Sequence, residues 1–132
     1  MEGMALASPP SVLIVDQSEE TREVLKTALE RRGMRILVAS RARQGLELAR
    51  FHRPDLIVLD LESQGPSPED TYARFEQEVS ERPTHLILLG SCRLPDRSLG
   101  PEFVRKPYHY GPLVRRIEEL LGAVEPALAR CA

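Results

Sequence analysis

"VLIVDQSEE", residues 12–20, is a four-residue aliphatic run that stops at an acid. Val12-Leu13-Ile14-Val15 reads as a strand buried on both faces, because no polar residue alternates with the apolar ones. Asp16 then sits at its carboxyl end, which is the functional edge of an open α/β sheet. Ser18 caps a helix expected from Glu19 to Arg32, with Val24, Leu25, Ala28 and Leu29 at helical spacing and Gly33 as its stop. The pattern then repeats. Arg35–Ala39 is a second strand, and Ser40 is placed to cap a helix that turns Ala42, Leu46 and Ala49 inward until Pro54 ends it. Leu56-Ile57-Val58-Leu59 is a third strand, again halted by an acid, Asp60.

The remainder continues the alternation. Ser67-Pro68-Glu69-Asp70 has a cap, a first-turn proline and acids for the helix dipole, and Tyr72, Phe75 and Val79 form the apolar stripe behind it. Leu86–Leu89 and Phe103–Arg105 are the last two strands. Between them "GSCRLPDRSLGPE" shows no helical period. After Gly111-Pro112, residues Leu113, Ile117, Leu120 and Leu121 mark an amphipathic helix. Strands alternating with helices imply one parallel sheet covered on both faces. Residues 1–11 read as a loose lead-in, 12–121 as one domain, and 122–132 as a tail.

Composition bounds the function. The 132 residues are 42% hydrophobic and 29% charged, with net charge −2, which argues against a general nucleic-acid surface. Cys92 and Cys131 make neither a disulfide framework nor a zinc site. Neither a signal peptide nor a run of membrane-spanning length is present, so a cytoplasmic protein with no membrane partner is expected. Asp16, Asp60 and Lys106 all fall at or just past strand ends. Two carboxylates and a lysine on one edge suit a divalent cation and a phosphoryl group, with one carboxylate as the nucleophile.

In "VLIVDQSEETREVLKTAL", "RPDLIVLDLES" and "FVRKPYHYGPLVRRIEELL" the chain resembles the receiver domain of two-component response regulators, as a divergent member. That resemblance implies a flavodoxin-like, CheY-like five-stranded parallel sheet with helices on both faces. It implies that Asp60 is the phosphoacceptor, Lys106 the lysine that contacts the phosphoryl group, and Lys106-Pro107 a cis peptide. Asp16 matches the first acid of a magnesium-binding pair, and Glu62 stands where a backbone carbonyl ligates the metal. Phe103 matches an aromatic switch position. The implied partners are a sensor histidine kinase or phosphotransfer protein as donor, and a downstream protein as target. The implied role is a signalling receiver rather than an enzyme, with no output domain after residue 121.

The sequence departs from the family pattern in four places. Gln17 replaces the second acid and is expected to be a weakened ligand; losing that charge costs on the order of 1–3 kcal/mol of Mg2+ binding. Gly90 falls where the family has a hydroxyl, and Ser91 one residue later substitutes only if the strand bulges, because a one-residue shift reverses side-chain direction. The segment after Gly90 is too short for a full fourth helix, which is expected to be reduced or absent. Gln64 replaces a loop proline. These departures leave a phosphorylation-independent interaction module as the alternative reading. A nucleotide- or flavin-binding member of the architecture is disfavoured, because the turn "DQSEET" is acidic and lacks glycine.

Overall fold

The computed structural model of the chain describes residues 8–62, 67–91 and 102–122. Five strands, β1 (Ser11–Val15), β2 (Arg35–Ala39), β3 (Leu56–Asp60), β4 (His85–Gly90) and β5 (Glu102–Arg105), form one parallel sheet in the order β2-β1-β3-β4-β5. Four helices are described: α1 (Glu19–Glu30), α2 (Ala42–His52), α3 (Pro68–Val79) and α4 (Tyr110–Leu120).

The sheet is covered on both faces, and the period-2 alternation of each strand decides which residue meets which helix. Val12, Ile14, Leu56, Val58, Ile87 and Leu89 pack with Leu25 and Leu29 of α1 and Leu113, Val114 and Ile117 of α4. Leu13, Val15, Ile57, Leu59, Leu86 and Leu88 pack with Ala49 of α2 and Phe75 and Val79 of α3. Each such fully buried aliphatic side chain contributes roughly 1.5–3 kcal/mol.

Local signals explain the helix ends. Ser18 Oγ accepts from the Thr21 N–H at 3.1 Å, and Ser67 Oγ from the Asp70 N–H at 3.1 Å. Gly33 takes φ +88°, a left-handed conformation that ends the α1 turn. Ser40 is not the cap of α2: the N-cap is Arg41, with no side-chain cap bond. The cost of those open N–H groups is low because they are at the surface, where water satisfies them. β4 and β5 are also longer than their apolar runs. His85, Gly90 and Glu102 join the ladder through backbone groups, which do not depend on side-chain polarity. β1 begins at Ser11, inside the stretch read as a lead-in. The expected reduction of the helix between β4 and β5 concerns residues 92–101, outside the described residues, as are Cys92, Cys131, Gln64 and 123–132.

Gly45 sets how closely α2 approaches the sheet. A Cβ there would lie 2.6 Å from Val15 Cγ2 and 3.2 Å from Phe75 Cζ. Gly45→Ala gains about 1 kcal/mol of helix propensity but, with a contact this far inside van der Waals distance, overpacks by about 2–3 kcal/mol. A net loss of about 1–2 kcal/mol is expected in urea unfolding. An unchanged or higher midpoint would show that α2 does not sit against Val15, the residue that precedes Asp16.

Candidate functional site

Asp16 and Asp60 are the only charged residues buried among those described, at 3% and 2% exposure. Their meeting is a consequence of register. Val15 pairs with Leu59 in the parallel ladder, so the next residues of β1 and β3 stand level at the carboxyl edge. Both share the parity of Ile14 and Val58, so both side chains leave the sheet on the α1/α4 side. The two carboxyls are close enough that the charge of Asp60 acts on Asp16.

Each part of the edge is held in place. Asp16 Oδ1 accepts from the Ser18 N–H at 2.8 Å, and the Arg22 guanidinium donates to the Asp16 and Gln17 carbonyls at 2.8 and 3.2 Å. Lys106 is carried by the end of β5, where its N–H donates to the Gly90 carbonyl at 2.9 Å, ahead of a cis bond to Pro107. Lys106 Nζ donates to Asp60 Oδ1 at 2.7 Å. These residues line a cleft of about 750 Å³ with Gln17, Ser18, Thr21, Ser91, Pro107, Tyr108 and Tyr110.

The electrostatics follow from burial and charge. Burial pushes the Asp16 carboxyl above its ordinary range; the Ser18 N–H opposes this, the Asp60 charge adds to it, and Lys106 partly offsets it. For Lys106, burial acts to lower the pKa, but the bond to Asp60 and the charges of Asp60, Glu62 and Asp16 outweigh it and hold the ammonium charged. Burial, and then the Asp16, Tyr110 and Asp60 charges, keep Tyr108 a neutral phenol.

The folded state therefore holds the Asp16 proton more tightly than the unfolded chain does. Ionising Asp16 costs stability, a cost absent at low pH and complete once the pH exceeds its folded pKa. Asp16→Asn removes the charge and is expected to raise Tm at neutral pH in chelator. A lower Tm would show that Asp16 is stabilised as a carboxylate by the protein alone.

Not every residue singled out from sequence enters the cleft. Asp16, Gln17, Asp60, Ser91 and Lys106 line it. Gly90 contributes its carbonyl to the Lys106 N–H. Phe103 is half-buried on the other face of the sheet, packed with the α2/α3 core. Ser91 reaches the cleft without a bulge: Leu89 and Gly90 pair consecutively with Val104 and Arg105, and Ser91 shares the parity of Ile87 and Leu89. The expected need for a bulge is thus corrected. Glu62 contributes more than a backbone. Its side chain accepts from the Ser91 N–H at 2.7 Å and from the Ser91 hydroxyl, and lies 3.5 Å from Lys106 Nζ.

Thr21, Tyr108 and Tyr110 were not legible as cleft residues. Tyr108 and Tyr110 stack edge-to-face at 5.8 Å, and Tyr110 shares a 3.3 Å hydrogen bond with Thr21 of α1. The two tyrosines alternate just after Lys106-Pro107, and that was the one available signal.

A divalent cation of the magnesium type needs oxygen donors converging on one cavity. No group of three His, Cys, Asp or Glu suited to a metal occurs among the described residues. Two adjacent buried carboxylates and an amide oxygen remain, all hard oxygen donors. That set fits Mg2+, which takes one or two carboxylates and keeps several waters, and it does not suit zinc or copper. No described helix is long and apolar enough to cross a membrane.

Comparison with known proteins agrees with this geometry. The family model described as response regulator receiver domain matches residues 12–98. The KDP operon transcriptional regulatory protein KdpE of Escherichia coli is 29% identical over 118 residues, covering 84% of this chain and 51% of that protein. The transcriptional regulatory protein CseB of Streptomyces avermitilis is 31% identical, covering 88% and 51%. This chain thus spans about half the length of the curated relatives it matches. Among solved structures, the receiver domain of the Francisella response regulator 1452 superposes with TM-score 0.72 at 21% identity, covering 87% of this chain and 98% of that one. Chemotaxis protein CheY4 of Vibrio cholerae gives TM-score 0.68 at 19% identity, covering 85% and 98%. The chain belongs to the response regulator receiver domain family, the CheY-like signalling module of two-component systems.

Proposed function

We propose that this domain accepts a phosphoryl group on Asp60 and passes the signal on through a protein partner. The observation that carries this reading is the Asp60 carboxylate itself: buried at a strand end, level with Asp16, and bonded to Lys106 at 2.7 Å. A carboxylate oxygen of Asp60 attacks phosphorus. A P–O bond forms, and the donor's bond to phosphorus breaks, with its electron pair leaving on the donor. From a phosphohistidine the leaving group is the imidazole nitrogen. Domains of this family interact with histidine kinases or phosphotransfer proteins, which supply such donors. Lys106 is the cation placed to neutralise a phosphoryl oxygen once its hold on Asp60 is shared. The transfer is catalysed by the domain's own residues.

Domains of this family also generally bind Mg2+ at the acidic pocket. Here Asp16 and Asp60 would hold it, with Gln17 as an uncharged third donor and the Glu62 carbonyl as the fourth position. Bound there, the ion supplies positive charge opposite the transferring phosphoryl oxygens. Gly90, Ser91 and Phe103 are assigned to the response that follows transfer. The domain is taken to comprise residues 12–121.

The test is intact-mass spectrometry after incubation with Mg2+ and a small-molecule acyl phosphate. One phosphoryl adduct, abolished by chelator, is the expected result. No adduct at high Mg2+ would overturn the proposal in favour of phosphate-independent interaction.

A further inference from the structure

The Glu62 side chain lies where the acceptor chemistry of Asp60 needs free donors. Its carboxylate takes the Ser91 N–H at 2.7 Å, takes the Ser91 hydroxyl, and stands 3.5 Å from Lys106 Nζ. Lys106 is thereby held between two carboxylates, Asp60 at 2.7 Å and Glu62. An N–H, an O–H and an ammonium are the donor types that an anionic, oxygen-rich phosphoryl group requires. All three belong to the edge that carries Asp60, and all three face the same carboxylate. The Glu62 N–H donates to Asp60 Oδ1 at 3.2 Å, so the backbone of Glu62 is tied to the acceptor while its side chain reaches across to β4.

We propose that Glu62 is a built-in competitor for the phosphoryl group: its carboxylate occupies Ser91 and Lys106 in the resting domain and must leave them when Asp60 is modified. This rests on the reading of Asp60 as the acceptor. Release is physically accessible. The Glu62 side chain is 37% exposed, so it swings into water without being stranded as a buried charge. The Ser91 N–H and hydroxyl each offer a single proton, so a phosphoryl oxygen and the Glu62 carboxylate compete for them, and their like charges repel at this range. The resting contact therefore opposes phosphorylation, and its loss frees Ser91 and Lys106 to hold the modified state.

The test uses beryllium fluoride, a non-transferable phosphoryl mimic, titrated in Mg2+ and followed by amide NMR at residue 91. Four proteins are compared: wild type, Glu62→Ala, Ser91→Ala and the double variant. Glu62→Ala is expected to bind the mimic about tenfold more tightly, since no charged hydrogen bond has to be broken first. Ser91→Ala should change wild-type affinity little, because the bond broken and the bond gained both involve Ser91. The same change in the Glu62→Ala background should cost severalfold. A simple rivet between β3 and β4 gives no gain with Glu62→Ala and no dependence of Ser91→Ala on the background; either result overturns the competitor. If no variant binds the mimic, the reading of Asp60 fails, and the competitor fails with it.

Discussion

Asp60→Asn is expected to abolish phosphoryl uptake while leaving the chain folded. The substitution changes almost no volume at a position that is 2% exposed, so the core around Leu59 and Leu61 keeps its packing. The amide oxygen still accepts from Lys106, and Lys106 retains Glu62 at 3.5 Å as a counter-charge. What disappears is the nucleophile, because an amide oxygen does not displace the donor from phosphorus. The adduct in intact-mass spectra should therefore fall to background, while circular dichroism and the unfolding transition persist. An adduct of wild-type size in Asp60→Asn would assign the chemistry to another side chain.

Gln17→Asp is expected to raise Mg2+ affinity by about tenfold to a hundredfold, the equivalent of about 1–3 kcal/mol. Gln17 is exposed and lines the cleft beside Asp16. The substitution places a third negative charge among oxygens that already include two adjacent buried carboxylates. The same charge raises repulsion when no ion is present. The metal-free variant should thus unfold at a lower temperature than the parent, and added Mg2+ should raise its Tm by more, since ligand binding to the native state alone stabilises by RT ln(1 + [L]/Kd). Calorimetric titration measures the first effect and thermal unfolding with and without Mg2+ the second. Equal affinity in the two proteins would mean that residue 17 does not reach the ion.

The strands and the position of the acids were readable from the chain because one rule governs both. An aliphatic run ended by Asp places that Asp at the carboxyl edge, and the runs before Asp16 and Asp60 end at matching depth in adjacent strands. Helix ends were readable where a side chain makes the cap, as at Ser18 and Ser67, and misread at Ser40, where Arg41 takes the cap position without a side-chain bond. Strand length was underestimated in β4 and β5 because backbone pairing continues past the apolar residues. Ser91 was misjudged for a related reason. Its direction follows from the alternation of β4 and not from its distance to a family position. The second half of the cleft wall was hidden because Thr21 and Tyr110 are 89 residues apart and meet only when α1 and α4 lie side by side. The role of the Glu62 side chain was equally invisible, since its partners Ser91 and Lys106 come from two other strand ends.

Locating the modified residue tests the central claim most directly. After incubation with Mg2+ and an acyl phosphate, borohydride reduction converts an aspartyl phosphate to homoserine, which peptide mass spectrometry reads at residue level. The account predicts homoserine at position 60 in the wild-type chain, and none when chelator is present. Homoserine at Asp16 or elsewhere, or a phosphoryl adduct that resists reduction, would contradict it.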